Sequence, residues 1–392
     1  MKIVHVITRL ILGGAQENTL LTCLAQSRLG HDVVLVTGPP LGPEGSLLDE
    51  ARAMPLRTVL VPAMRRAIHP YRDLVAYHDL VKHLRDERPD VVHTHSSKAG
   101  ILGRRAARAA GVPCIVHTIH GLPFDAYRGR LANWAYRTAE RRAARWSHRL
   151  IAVCSAMADG AAAAGVAPRD RIDVVYSAMD IERFRAAEGR RETIRAEWGL
   201  GPAAFVFVKV ARLFRMKGHA FVLPAFAQVA QGCPHAVLVL AGDGVLRRGL
   251  EAEAERLGVA DRVRFLGLVP RDAIPGILWA ADAVVHASLR EGLARVLPQA
   301  GFCRRPAITY DVGGAREVVR DGENGLLLAP PAPGETAPSA AQPLARAMGR
   351  LASDPAGARQ MGERWPGDRL RRFDYRLATD EIMRVYEVAR RV

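Results

Sequence analysis

The sequence of 392 residues predicts an α/β fold of two doubly wound domains with a ligand cleft between them. Three observations predict it. Short β-branched runs alternate with helical patterns along the chain, which is the rhythm of right-handed βαβ units. The runs stay apolar for several residues without strict alternation, as in strands buried on both faces. They also fall into two series, separated by a charged stretch, and the length suits two domains.

The first series reads KIVHVI (2–7), DVVLVT (32–37), DVVHTH (90–95), CIVHTI (114–119), RLIAV (149–153) and IDVVY (172–176). The second reads AFVFVK (204–209), AVLVLA (236–241), RVRFLG (262–267), AVVHAS (283–288), PAITY (306–310) and GLLLA (325–329). Between them the charged segment from Asp180, closed by GLGP, reads as an interdomain linker. The boundaries follow: a first domain over 1–180, a linker over 181–201 and a second domain over 202–372. Residues 329–343, rich in Pro, Ala and Ser, read as a flexible surface loop. Over 373–392 the apolar residues Tyr375, Leu377, Ile382, Met383, Val385, Tyr386 and Val388 recur at helical spacing, so the chain ends in a helix.

Composition narrows the partners. Hydrophobic residues make up 49% of the chain, enough for real cores. The net charge is +16, and of 56 basic residues only five are Lys (2, 82, 98, 209 and 217). Such an Arg- and Ala-rich bias is as easily a coding habit as a nucleic-acid footprint, so no nucleic-acid partner is expected. An anionic partner is, whether a phosphate-bearing substrate or a lipid surface. No apolar window is long enough to span a membrane, and Arg9 interrupts the N-terminal stretch where a signal peptide would need continuity. The five cysteines are scattered and never paired as C-x-x-C, which points to a reducing compartment and a cytoplasmic protein.

Four loops carry candidate chemistry. Gly13-Gly14-Ala15 follows the first strand and opens a helix, whose free N–H groups suit a phosphate, although a tight turn also uses such glycines. No dinucleotide fingerprint G-x-G-x-x-G follows that strand, and Gly242-Asp243-Gly244 lacks the third glycine. In VKVARLFRMKGH (208–219), Arg212 and Lys217 sit in a strand-to-helix loop, where two fixed cations can neutralise a leaving diphosphate. In SLREGLARVLPQAGF (288–302), Glu291-Gly292 follows a strand and is read as opening a helix, with Gln299 two turns along the same face.

Together these pieces resemble the retaining glycosyltransferases of GT-B family 4 (glycosyl transferases group 1). The resemblance is carried by GGAQ, HTHSSKAGILGRRAARAAGVPCIVHTIHG (93–121), YSAMDIERF (176–184), RLFRMKG, AGDG, FLG, SLREGL, DVGGAREVV (311–319) and DGENGLLL (321–328), in that order. It implies two Rossmann-like domains, the C-terminal one holding a nucleotide-sugar donor and the N-terminal one the acceptor. It also implies a C-terminal helix that packs back on the first domain. By position, Arg212 and Lys217 match the pair on the donor diphosphate, and Glu291 matches the first glutamate of the family's E-x7-E. Gly292 and Leu293 belong to that same donor-binding loop. His120 matches the histidine facing the transferred sugar and acceptor, and Gly13 and Gly14 match the loop that closes on the donor. Gln299 departs from the pattern, because the second glutamate, which usually binds ribose, is an amide here.

No D-x-D occurs, so the expectation is metal-independent transfer with no cofactor. His93, His95, His117 and His120 cluster at two strand ends without a companion Cys or carboxylate pair, which argues for packing rather than zinc, with His120 facing the cleft. Segment 128–149 carries seven Arg and His148 against one Glu140, with Leu131, Ala135, Ala139, Ala143, Trp146 and Leu150 on one stripe. Beside that stripe Trp134, Arg137, Arg141 and Arg145 form another, which reads as a solvated basic face or a docking surface for anionic lipid. The expected activity is transfer of a hexose to a saccharide or lipid-linked saccharide hydroxyl in envelope or exopolysaccharide synthesis, on the inner face of the cytoplasmic membrane. The alternatives are a nucleotide-sugar 2-epimerase on the same architecture and a non-catalytic sugar-nucleotide-binding protein.

Overall fold

The computed structural model describes residues 1–125 and 127–391. The chain divides into two compact units, one of residues 1–179 with 372–391 and one of residues 180–371. The first unit contains the strands β1 (Lys2–Ile7), β2 (Asp32–Thr37), β3 (Arg57–Leu60), β4 (Val91–His95), β5 (Cys114–Ile119), β6 (Arg149–Ala152) and β7 (Ile172–Val174). The second contains β8 (Phe205–Val210), β9 (Ala236–Ala241), β10 (Val263–Gly267), β11 (Ala283–His286), β12 (Ala307–Tyr310) and β13 (Gly325–Leu328).

Each unit is built on one parallel sheet. The orders are β3-β2-β1-β4-β5-β6-β7 and β10-β9-β8-β11-β12-β13. In both, the chain winds outward in one direction, returns to the middle and winds out the other way. The non-alternating apolar strands have the expected cause. In the first unit, Val4, Val6 and Val92 pack on one face against the helices Pro70–Glu87 and Ser97–Ala109. Ile3, Val91 and Val116 pack on the other against Leu21 and Ala25 of helix Gly14–Arg28 and against helix Tyr375–Ala389. The C-terminal helix thus completes the core of the unit in which the chain begins, burying Tyr375, Ile382, Val385 and Tyr386.

Several sequence expectations are corrected. Segment 181–201 is folded into helices Ile181–Arg185 and Arg191–Glu197 of the second unit. Its apolar residues Ile181, Phe184 and Ile194 are buried, and the Trp279 indole donates to the Phe184 carbonyl at 2.7 Å. The charges that suggested a linker form a clamp, with Arg191 and Arg195 both bound to Asp282 at 2.5 Å. Residues 329–343 are not all loop, because helix Ala337–Ser353 begins within them. Strand β3, with its half-buried pattern, carries too little apolar signal for its sequence to show.

Candidate active site

In a doubly wound sheet, ligands bind at the carboxyl ends of the two strands where the winding reverses. In the second unit those strands are β8 and β11. Lys209 is the penultimate residue of β8, Arg212 lies just past its end, and Lys217 closes the 3₁₀ turn Arg215–Lys217. His286 ends β11 and Glu291 lies in the loop that follows. Gly218 brings the two loops together. It has φ +70°, and a Cβ there would lie 1.8 Å from the Ala287 carbonyl oxygen, so only glycine lets the Lys217 turn lie on the exit of β11. The Leu289 amide donates to the Met216 carbonyl at 2.9 Å and fastens the same junction.

The Lys217 ammonium therefore donates to Glu291 Oε1 at 2.5 Å, and His286 Nε2 stands 3.4 Å from the same oxygen. Burial alone would push the Glu291 carboxyl up; the Lys217 charge, with the His286 contact, overrides this and holds it well below the usual carboxylate range. Lys209 is wholly buried, and its Nζ has no hydrogen-bond partner among the described residues. Burial, reinforced by the Lys217 charge and opposed by Glu291, pushes its pKa down to about 7. His219 opens helix His219–Gly232 and is pushed by burial to about 3, so it is neutral. Its Nε2 donates to the Arg212 carbonyl at 3.1 Å and holds that loop, while the Arg212 guanidinium lies over the Phe214 ring, 5.0 Å from its centroid.

Lys217 and Glu291 are thus direct partners, and Arg212 shares the loop after β8 with Lys217. Gln299 is placed differently from expectation. Glu291 does not open a helix: the Gly292 carbonyl accepts from the Gly314 amide at 2.7 Å, and the helix begins only at Val296. Gly313, at φ +59°, presses so closely on the Glu291 and Gly292 carbonyls that a Cβ would lie 2.5 and 2.3 Å from their oxygens. Leu293 is buried behind this loop, and Gln299 is buried on helix Val296–Phe302. Glu291 and Gln299 therefore belong to a loop and a helix, not to one helical face.

The first unit also carries its polar cluster at the reversal, here between β1 and β4. Gly13 caps helix Gly14–Arg28 in an extended conformation. His5 of β1 is in register with His93 of β4, and both are fully buried, as is His95. His5, His93 and His95 lie close enough to form a metal-ligand set, but hydrogen bonds occupy the nitrogens of all three. His93 contacts the Tyr386 hydroxyl at 2.6 Å and Thr118 at 2.7 Å; His5 contacts Gln26 at 2.7 Å and His95 at 2.9 Å. His95 in turn contacts His120 at 3.1 Å, and His117 packs against Thr94. The sequence reading missed His5, Gln26 and Tyr386 here, and Lys209, His219 and His286 in the second unit. A histidine inside KIVHVI and a lysine inside FVFVKV are visible irregularities, but only the sheet order shows which clusters they join.

Helix Arg130–Ala144 leaves Leu131 78% and Trp134 65% exposed, while Glu140 is buried in an ion pair with Arg104 at 2.8 Å. The predicted stripe is therefore inward only at its C-terminal end. Arg141 donates to the Gly165 and Ala164 carbonyls and so has a local structural task.

Two doubly wound parallel units, each with its polar cluster at the strand reversal, define a protein of GT-B fold. The Glycosyl transferases group 1 family matches residues 190–364, and a Glycosyl transferase 4-like domain matches 13–178. The chain is 31% identical to the UDP-Gal:alpha-D-GlcNAc-diphosphoundecaprenol alpha-1,3-galactosyltransferase of Escherichia coli, over 84% of each chain. It is 30% identical to the D-inositol 3-phosphate glycosyltransferase of Segniliparus rotundus, over 78% of this chain and 67% of that one. Among solved structures, Anabaena Alr3699/HepE in complex with UDP-glucose superposes with a TM-score of 0.79 at 24% identity, covering 99% of each chain. The chain belongs to the group 1 glycosyltransferases.

No helix among the described residues is long and apolar enough to cross a membrane.

Proposed function

We propose that this glycosyltransferase moves a hexose, with retention and without a metal, from a nucleotide diphosphate sugar to a hydroxyl of a lipid-linked saccharide. The observation that carries the reading is the cation–carboxylate cluster at the β8/β11 reversal, beside the buried Lys209 amine, which has no hydrogen-bond partner among the described residues. A buried polar group without a partner is costly, and its charged form is stabilised by an arriving anion. Arg212 and Lys217 neutralise the diphosphate, Glu291 orients the sugar, and Gly292 and Leu293 shape the loop that meets it. Gln299 holds the ribose through its amide, and His120 meets the sugar or its acceptor.

In this reading the bond between the anomeric carbon and the diphosphate oxygen breaks as the acceptor oxygen bonds on the same face. The acceptor's proton passes to the departing phosphate, whose growing charge the two cations stabilise. The lipid-linked acceptor is supported by the activity for which the Escherichia coli relative is named and by the exposed Trp134 and Leu131 on the basic helix Arg130–Ala144. Envelope or exopolysaccharide synthesis is the setting in which such an acceptor is used.

The test is a panel of nucleotide sugars, beginning with uridine donors, followed by product analysis. A specific donor at about a hundredfold excess over Kd should stabilise the protein by roughly 2.7 kcal/mol. Incubation with acceptor should then yield an α-linked product in the presence of excess EDTA. A donor that stabilises the protein but returns only an epimer, or transfer that stops with chelation and resumes with magnesium, overturns the corresponding part of the reading.

A further inference from the structure

Four side chains in the first unit form an unbroken hydrogen-bonded line. Gln26 Oε1 contacts His5 Nε2 at 2.7 Å, His5 Nδ1 contacts His95 Nε2 at 2.9 Å, and His95 Nδ1 contacts His120 Nε2 at 3.1 Å. Gln26 and His5 are fully buried, and His95 is 1% exposed. Burial pushes His5 down to about 4 and His95 well below the ordinary imidazole range, so both rings are neutral near pH 7. A neutral imidazole has one N–H and one lone pair, so fixing the hydrogen at one end of the line fixes it along the whole line.

The end is fixed at Gln26. Its amide nitrogen contacts the Tyr386 hydroxyl at 3.2 Å and the Met383 sulfur at 3.7 Å. A thioether accepts and cannot donate, so the amide nitrogen, not its oxygen, belongs on that side. The oxygen then faces His5, which must donate from Nε2 and accept at Nδ1. His95 donates from its Nε2 and accepts at Nδ1, and His120 donates from its Nε2.

The geometry points to Gln26, His5 and His95 as positioning residues that draw the Nε2–H of His120 inward, so that its neutral form is the Nε2–H tautomer and offers the Nδ1 lone pair as a hydrogen-bond acceptor. This rests on the reading of His120 as the residue that meets the sugar or acceptor. On that reading it tells His120 how to meet a hydroxyl: by accepting its proton in a hydrogen bond. Residues that never touch the ligand thereby set the polarity of one that does.

Long-range ¹⁵N–¹H correlation spectra of histidine-labelled full-length protein, together with kinetics, test this. In its neutral form, wild-type His120 should show a protonated Nε2 and an unprotonated Nδ1. His5→Leu removes the acceptor for His95 and should give a mixture of His120 tautomers. Its kcat should fall by about tenfold or more, with the donor KM unchanged, since general acid–base and orienting contributions are of at least that size. His5→Asn keeps an acceptor oxygen near the Nδ1 position and should recover the wild-type spectrum and most of kcat, which a merely structural loss would not predict. A neutral wild-type His120 protonated at Nδ1, or a His5→Leu spectrum identical to wild type, overturns the proposal. A tautomer shift without any change in kcat upholds the relay and overturns the placement of His120 at the sugar.

Discussion

Lys209 is one of five lysines in a chain whose remaining 51 basic side chains are arginines, and it sits next to the last residue of a buried strand. Arginine could not take its place and shed its charge, whereas lysine shifts readily when buried. Its folded pKa of about 7 lies below the model-peptide value of 10.5. Between those pH values the unfolded chain binds the extra proton, so stability rises with pH across that window; below pH 7 the penalty is fully present. Lys209→Met, similar in length and uncharged, should therefore melt above wild type at pH 6.5. The gap should narrow steadily toward pH 10, and a gap that is constant or inverted across this range would show that Lys209 is not carried at such a cost. Lys217, Glu291, His219 and His286 face Lys209 and couple to it, so the difference also contains the relief of its repulsion on Lys217, His219 and His286 and the loss of its attraction to Glu291.

Two other residues separate binding from chemistry. Lys217 is placed to meet charge that grows during transfer, so Lys217→Ala should lower kcat by about a hundredfold or more, by analogy with a loss of about 2.7–4 kcal/mol for one transition-state donor. Gln299 is assigned to ribose, whose contacts are equal in ground and transition states. Gln299→Ala should therefore raise the donor KM while leaving kcat nearly intact. Steady-state kinetics of the two variants decides the assignments: if Gln299→Ala loses kcat as Lys217→Ala does, the ribose role is wrong.

At the scale of elements, the Lys217 turn is held by the approach of Gly218 to the Ala287 carbonyl rather than by any helix cap. Gly218→Ala would have to open that junction and adopt a positive φ. It should destabilise the second unit by upwards of about 1 kcal/mol and lower kcat by moving Lys217 away from Glu291. Unchanged melting and kinetics would mean that the junction relaxes freely. This is also where reading from sequence runs out. Strands such as AVLVLA and CIVHTI announce themselves by being apolar throughout, because both faces are buried, and RLFRMKG and SLREGL mark the loops after β8 and β11. What a linear pattern cannot show is which loops meet. The contact of Lys217 with Glu291, and the register of His5 with His93, follow from β8 lying beside β11 and β1 beside β4. Glu291 was misread as helical for the same reason: the Gly314 amide that takes the Gly292 carbonyl out of a helix comes from a distant loop. Segment 181–201 looked like a linker because the partner of Arg191 and Arg195, Asp282, lies some ninety residues away.

At the scale of the whole molecule, the net charge of +16 and the exposed pair Trp134 and Leu131 make separable contributions to any membrane association. The charge acts at range and is screened, with a Debye length of about 10 Å at 0.1 M salt and about 3 Å at 1 M. The two apolar side chains act only on contact, and burying a side chain of this kind is worth about 1.5–3 kcal/mol. Binding to vesicles rich in anionic lipid should therefore weaken steeply as salt rises, following the charge. A Leu131→Ser, Trp134→Ser variant should bind more weakly at every salt concentration with the same slope, since it removes insertion and leaves the charge in place. Vesicle co-sedimentation across a salt series measures both quantities. Equal binding to neutral and anionic vesicles, or no binding at low salt, would mean that the basic helix Arg130–Ala144 is a solvated face with no lipid to meet. A variant that binds as wild type does at every salt concentration would assign the contact to charge alone and remove Trp134 and Leu131 from it.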